Sequence, residues 1–266
     1  MQNQCIEPIS FYVEERTYKR IGNIELNLKI YKPSDWRSDD KRTAIIFFFG
    51  GGWVNGTLDH FKLQSEHFAS RGMVVITPEY RIKSKHDTTP FESVADGHSA
   101  IGWVKEHIAE LGIDEEKIAV AGGSAGGHIA VCSVLIAPFD RSLDGVNNIP
   151  KAMVLFNPVV DTTESGFGYD KLGERGLELS PVHHVRPNMP PTILFHGTGD
   201  KTVPYENAVR FCEVMVNNGN ECTLISYEGQ PHGFFNFGFG DSKDSFHYYD
   251  TLKKADDFLV SMGYII

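Results

Sequence analysis

The sequence predicts an α/β protein: a mainly parallel, doubly wound sheet with an N-terminal antiparallel hairpin and a small cap insertion. Three observations predict it. From residue 44 onward, short apolar runs of strand length alternate with segments of helical period. Ahead of them, residues 10–20 and 24–31 alternate apolar and polar side chains around Gly22-Asn23. That is the pattern of a hairpin with one wet face. From Asp161 to Pro190 the chain is polar, glycine-rich and without strand pattern, which suits a short cap with one or two helical turns.

In order, Pro33 to Arg42 is polar and reads as a connection, and Ala44 to Phe49 is a continuous apolar run, as expected of a strand covered on both faces. It ends in Gly50-Gly51-Gly52-Trp53. Residues 59–71 read as a helix with Phe61, Phe68 and Ala69 toward the core, stopped by Gly72. Met73 to Thr77 is a buried strand leading to Pro78-Glu79-Tyr80-Arg81. Pro90 opens a helix in which Val94, Ile101, Val104, Ile108 and Leu111 recur at helical spacing until Gly112. Lys117 to Ala121 is a strand, and His128 to Ala137 an apolar helix. Lys151 to Phe156 and Thr192 to Phe195 are further strands. Tyr205 to Asn217 is an amphipathic helix, Glu221 to Tyr227 the last strand, and His247 to Met262 the last helix. No linker or repeat interrupts the chain. It reads as one domain over 1–266, with a short cap at about 161–190.

The 266 residues can bury a sizeable core. A formal charge of −10, from 25 basic and 35 acidic residues, disfavours nucleic acid or an anionic membrane as partner. No apolar run reaches the ~20 residues a membrane span needs, and no signal peptide is visible at the N-terminus. Cys5, Cys132, Cys212 and Cys222 show no metal-ligand spacing and read mostly as free thiols. Cys212 and Cys222 could instead pair across a helix-strand connection. The expectation is a cytoplasmic protein without metal or cofactor. A removed signal peptide and a homo-oligomer both stay open.

The stretch Gly122-Gly123-Ser124-Ala125-Gly126-Gly127 stands between the strand at 117–121 and the following helix. Gly-x-Ser-x-Gly at such a junction is a nucleophile elbow, with small neighbours because strand and helix pass closely. Alone it could be a glycine-rich strand-helix turn that binds phosphate or merely reverses the chain. A serine hydroxyl needs a base, an orienting acid and donors for a developing oxyanion before it attacks a carbonyl. Other strand ends offer them in chain order: Gly50-Gly51-Gly52, then Ser124, Asp200 and His232. Of 11 histidines, His232 alone follows the last strand in a Gly/Pro-rich turn. Asp161, also just beyond a strand, is a rival acid. Asp200 is preferred for its place one strand-helix unit before His232.

FFGGGW at 48–53, PEYR at 78–81, GGSAGGHIA at 122–130, HGTGDKTVP at 196–204 and QPHGF at 230–234 resemble the α/β-hydrolase superfamily. The branch is the esterase/lipase group similar to hormone-sensitive lipase and to small bacterial carbohydrate acetyl- and feruloyl-esterases. The resemblance covers roughly 40–262. It implies an α/β-hydrolase fold, with Ser124 as nucleophile, His232 as base, Asp200 as acid, and the amides of Gly51, Gly52 and Ala125 as oxyanion hole. Phe49 stands where many relatives carry histidine before three glycines. Gly123 stands where lipase-like members often have aspartate, which points toward the carbohydrate-esterase side. Trp53 is a candidate for lining the acyl pocket. Tyr80, Arg81 and Asp96 read as structural. The implied activity is cleavage of short-acyl, acetyl-like carboxylic esters, with a carbohydrate among the alcohols, on small-molecule substrates. A peptidase or aryl formamidase on the same fold, or a non-catalytic small-molecule receptor, is the alternative.

Overall fold

The computed structural model describes residues 10–146, 150–239 and 245–265. Eight strands form one sheet: β1 (Phe11–Ile21), β2 (Ile24–Pro33), β3 (Arg42–Phe48), β4 (Val74–Pro78), β5 (Ile113–Gly123), β6 (Pro150–Phe156), β7 (Thr192–Gly197) and β8 (Cys222–Tyr227). Their order is β1-β2-β4-β3-β5-β6-β7-β8. β1 and β2 form the expected antiparallel hairpin, and β2 also runs antiparallel to β4. Every other neighbouring pair is parallel. The architecture is that of an α/β-hydrolase.

The helices are α1 (Lys62–Ser70), α2 (Lys83–His86), α3 (Pro90–Glu106), α4 (Ile108–Leu111), α5 (Ala125–Leu135), α6 (Tyr169–Leu172), α7 (Tyr205–Asn217) and α8 (Phe246–Ser261). Alternation along β3 divides them between the two faces of the sheet. Ile46 and Phe48 pack with Val94, Ile129 and Phe211 from α3, α5 and α7. Ile45 and Phe47 pack with Phe68 and Leu259 from α1 and α8. Each fully buried side chain of this size contributes roughly 1.5–3 kcal/mol, so the run at 44–49 is held from both sides.

Local chemistry sets the ends. Thr89 and Glu92 form a capping box around Pro90 at the start of α3. The predicted 90–111 helix breaks at His107 into α3 and α4, and Gly112, at φ 61°, closes it. α5 begins at Ala125, three residues earlier than the sequence pattern suggests. Gly126 and Gly127 lie inside it because a Cβ on Gly126 would stand 2.1 Å from the Phe48 carbonyl oxygen. The glycines there serve close packing rather than a break.

One expectation is corrected. Cys212 and Cys222 are joined by a disulfide between α7 and the start of β8, with Cα atoms 5.4 Å apart. The tight turn through Gly219, at φ 79°, folds the two thiols together. Cys132 is a buried free thiol, and Cys5 lies outside the described residues. Among the described residues no helix is long and apolar enough to cross a membrane.

Candidate active site

Five adjacent parallel strands, β3, β5, β6, β7 and β8, end on one side of the sheet. Their carboxyl ends lead into Gly50, Ser124, Asn157, Asp200 and His232. Loops at this edge are where open α/β sheets assemble sites.

Ser124 sits between β5 and α5 at φ 54° and ψ −123°, a strained conformation for a residue with a side chain. The surroundings enforce it. Its amide donates to the Phe156 carbonyl at 3.0 Å, and its own carbonyl accepts from His128 and Val159. A Cβ on Gly122 would meet the Gly126 backbone at 2.5 Å. The turn therefore has room for glycine on either side and lifts the serine hydroxyl above the sheet edge.

His232 Nε2 lies 3.0 Å from Ser124 Oγ, and His232 Nδ1 lies 2.7 Å from Asp200 Oδ2. An ionised carboxylate only accepts, so the proton sits on Nδ1 and Nε2 is free to accept from the serine hydroxyl. Asp200 Oδ1 accepts from the amides of Thr202 and Val203 at 2.8 and 3.0 Å. Burial works to raise the Asp200 carboxyl, but hydrogen bonds from His196, His232 and the Val203 amide outweigh it and hold the group well below the usual carboxylate range.

Gly51 and Gly52, at φ 129° and 62°, occupy backbone conformations that favour glycine. The Gly51 carbonyl accepts from the Val54 and Asn55 amides. Among the described residues the amides of Gly51 and Gly52 have no acceptor. Ala125 opens α5, where the first amides have no partner inside the helix. A cleft of about 310 Å³ is lined by Gly51, Gly52, Ser124, Asn157, Phe167 and His232, among others.

Trp53 lies elsewhere. Its ring is buried behind Phe167, at 5.7 Å between ring centres, and meets His128 edge-on at 5.0 Å. Phe167, from the cap, walls the cleft instead. Phe49 stacks on Tyr80 at 4.1 Å, and the Tyr80 hydroxyl donates to the Phe49 carbonyl at 2.7 Å. Buried Asp96 holds Arg81 through two side-chain bonds of 2.8 and 3.0 Å and also pairs with Lys19. These three residues brace the sheet edge. Asp161 faces away from His232 in its bonding: it accepts from Thr163, Ser180 and Arg210 at the root of the cap.

Three residues at the site were missed by sequence reasoning. His60 Nδ1 accepts from the Gly50 amide at 2.8 Å, and its Nε2 meets Asn236 Oδ1 at 3.0 Å. His196, fully buried, approaches Asp200 from behind. Asn157, at φ 34°, is buried with its side-chain nitrogen unpartnered among the described residues, while its oxygen accepts from the Gly233 amide at 3.4 Å. His196 opens the HGTGDKTVP motif, but nothing in the motif assigns it a role, and no motif marks His60 or Asn157; their roles exist only once distant loops meet.

The BD-FAE family profile matches residues 28–165, more than half of the chain. The chain belongs to the BD-FAE family. As a BD-FAE member it is an α/β-hydrolase of the esterase/lipase branch, among carboxylesterase-type hydrolases. It is similar to esterase 2 of Thermogutta terrifontis, solved as its tabun-phosphoramylated form: 46% identity, 95% of this chain and 96% of that one, TM-score 0.88. The butyrate-bound form of that esterase gives 43% identity over 95% of each chain, with TM-score 0.88. Carboxylesterase NlhH of Mycobacterium tuberculosis is 28% identical over 85% of this chain and 76% of its own length. A probable isoprenylcysteine alpha-carbonyl methylesterase of Arabidopsis thaliana is 29% identical over 77% of this chain. The BD-FAE chain spans about half that relative's length, at 48%.

Proposed function

We propose that the chain is a serine hydrolase that cleaves carboxylic esters of short, acetyl-like acyl groups through an acyl-enzyme, with carbohydrates among its alcohols. The single observation carrying this reading is the hydrogen-bonded row Ser124–His232–Asp200, at 3.0 and 2.7 Å, opening into a cleft beside the Gly51 and Gly52 amides. In it, Ser124 Oγ attacks the ester carbonyl while His232 Nε2 takes its proton. The amides of Gly51, Gly52 and Ala125 receive the oxyanion; in a serine protease one such donor is worth about 10²–10³ in rate. His232 protonates the departing alcohol, then activates water to release the acid. Asp200 fixes the His232 tautomer and stabilises its imidazolium. No cofactor takes part.

The modest cleft and the butyrate- and propionate-bound forms of the Thermogutta esterase support a short acyl group. A paraoxon-phosphorylated form of the same esterase supports a reactive nucleophile here. The domain reading keeps 1–266 as one unit, with the segment around 161–190 as a cap that contributes Phe167 to the wall.

Ser124→Ala is the test. Hydrolysis of p-nitrophenyl acetate and labelling by a fluorophosphonate probe should both vanish while the fold, followed by circular dichroism, persists. Retained turnover would sink the assignment. An acyl series that favoured laurate over acetate would remove the short-acyl reading. Parallel assays on aminoacyl amides and N-formylkynurenine separate the peptidase and formamidase alternatives.

A further inference from the structure

His60 ties the loop after β3 to the loop after β8. The Gly50 N–H can only donate, so His60 Nδ1, at 2.8 Å, must offer a lone pair. The ring proton then sits on Nε2 and points to Asn236 Oδ1 at 3.0 Å. Asn236 is oriented in turn, because its Nδ2 donates to the Gly233 carbonyl at 2.9 Å. Each link donates in the same direction, from Gly50 to the residue that follows His232. The ring is packed near Phe61 and Phe235, with ring centres at 4.7 and 6.0 Å. Gly50 is closely confined: a Cβ there would lie 2.9 Å from the Gly123 carbonyl oxygen, 3.2 Å from His60 Cε1 and 3.3 Å from Ser124 Cβ.

We infer that His60 is a positioning residue for ester hydrolysis: through Gly50 it fixes where the Gly51 and Gly52 amides stand relative to Ser124, and its neutral Nε2–H form is set by Asn236. The inference rests on the proposed serine-hydrolase reading. The chemistry asks for it. Oxyanion donors act only if held in place before charge develops, and a displacement of about 1 Å can cost about 10² in rate. In this chain Phe49 fills the position before the glycines, and its ring is committed to Tyr80. A side chain from the 3-10 turn at Leu58–Phe61 supplies the polar tie.

Two variants separate the bond from the packing. Asparagine carries Oδ1 where histidine carries Nδ1, so His60→Asn keeps an acceptor for the Gly50 amide. Glutamine places its amide at the reach of Nε2, so His60→Gln keeps the Asn236 contact and loses the Gly50 one. Both lose the ring and should lower the thermal midpoint alike. With p-nitrophenyl acetate, His60→Gln is expected to lose about 10²-fold in kcat with KM within about threefold of the parent. His60→Asn should retain a kcat about tenfold or more above that of His60→Gln. Equal kcat in the two variants, whether both high or both low, would overturn the inference. Turnover by Ser124→Ala would instead overturn the hydrolase reading, and the inference with it.

Discussion

His196 Nε2 stands 3.2 Å from Asp200 Oδ2, the same oxygen that His232 Nδ1 reaches at 2.7 Å. His196 Nε2 also meets the Val203 carbonyl at 3.1 Å, an acceptor only, so this nitrogen carries the proton and donates. With the Thr202 and Val203 amides and His232, Asp200 accepts three N–H hydrogen bonds, and the His196 N–H lies close by. That many donors to the charged form favour ionisation despite burial.

Replacing this carboxylate should be far more damaging to rate than to binding. Asp200→Asn keeps the shape but turns an N–H toward His232 and favours the unproductive tautomer. A kcat loss of about 10⁴ is expected by analogy with serine proteases, with KM little changed. Steady-state kinetics on p-nitrophenyl acetate measure both. A loss under about tenfold would mean that another group orients His232. His196→Gln, which retains a donor at similar reach, should cost less than Asp200→Asn.

Asp161 should behave differently, although it also follows a strand end. Its Oδ1 accepts from the Thr163 amide at 2.9 Å and from the Thr163 hydroxyl at 2.6 Å, and its Oδ2 pairs with Arg210 at 3.1 Å. Arg210 is about half exposed, so losing the ion pair costs only about 1 kcal/mol. Asp161→Asn is therefore expected to shift the urea midpoint slightly and leave fluorophosphonate labelling of Ser124 within about threefold. Loss of labelling comparable to that in Asp200→Asn would contradict the assignment of the acid.

A buried histidine contributes to the pH dependence of folding. His128 lies wholly inside the protein; burial lowers its pKa to about 4, and the bond from Nε2 to the Leu179 carbonyl at 2.7 Å only partly opposes this. In the unfolded chain a histidine titrates near ~6.5. Between those values the unfolded state binds more protons, so stability rises with pH. The contribution is full above the unfolded pKa and is lost as pH falls toward about 4, on the order of 3 kcal/mol. His60, His98 and His183 are also lowered by burial and act with the same sign. Asp200, depressed as an acid, holds its contribution until lower pH. Denaturant midpoints from pH 7 to 4.5 should fall in the parent and fall less in His128→Gln, which keeps a donor toward Leu179. Identical slopes in the two proteins would refute this.

Much of the architecture was legible because its causes are short-ranged. A six-residue apolar run such as 44–49 is too short for a buried helix and fits a strand covered on both faces, and Pro90 and Gly112 punctuate a helix wherever they fall. The α3–α4 break at His107 and the early start of α5 were less legible. The second depends on what a neighbouring segment presses against the helix, as Phe48 does on Gly126; at the first, His107 stacks on Trp103 and its Nδ1 meets the Trp103 carbonyl.

The sequence by itself determined the order of strand ends that carry Gly50-Gly51-Gly52, Ser124, Asp200 and His232, since residue type and local pattern mark each of them. Only the tertiary structure decided which groups meet. It brought Asp200 rather than Asp161 to His232, seated Trp53 behind Phe167, joined Cys212 to Cys222, and set His60 beneath Gly50. These outcomes depend on hydrogen bonds and packing between segments far apart in the chain. Strand order and loop path fix those distances, and no local pattern of residues encodes them.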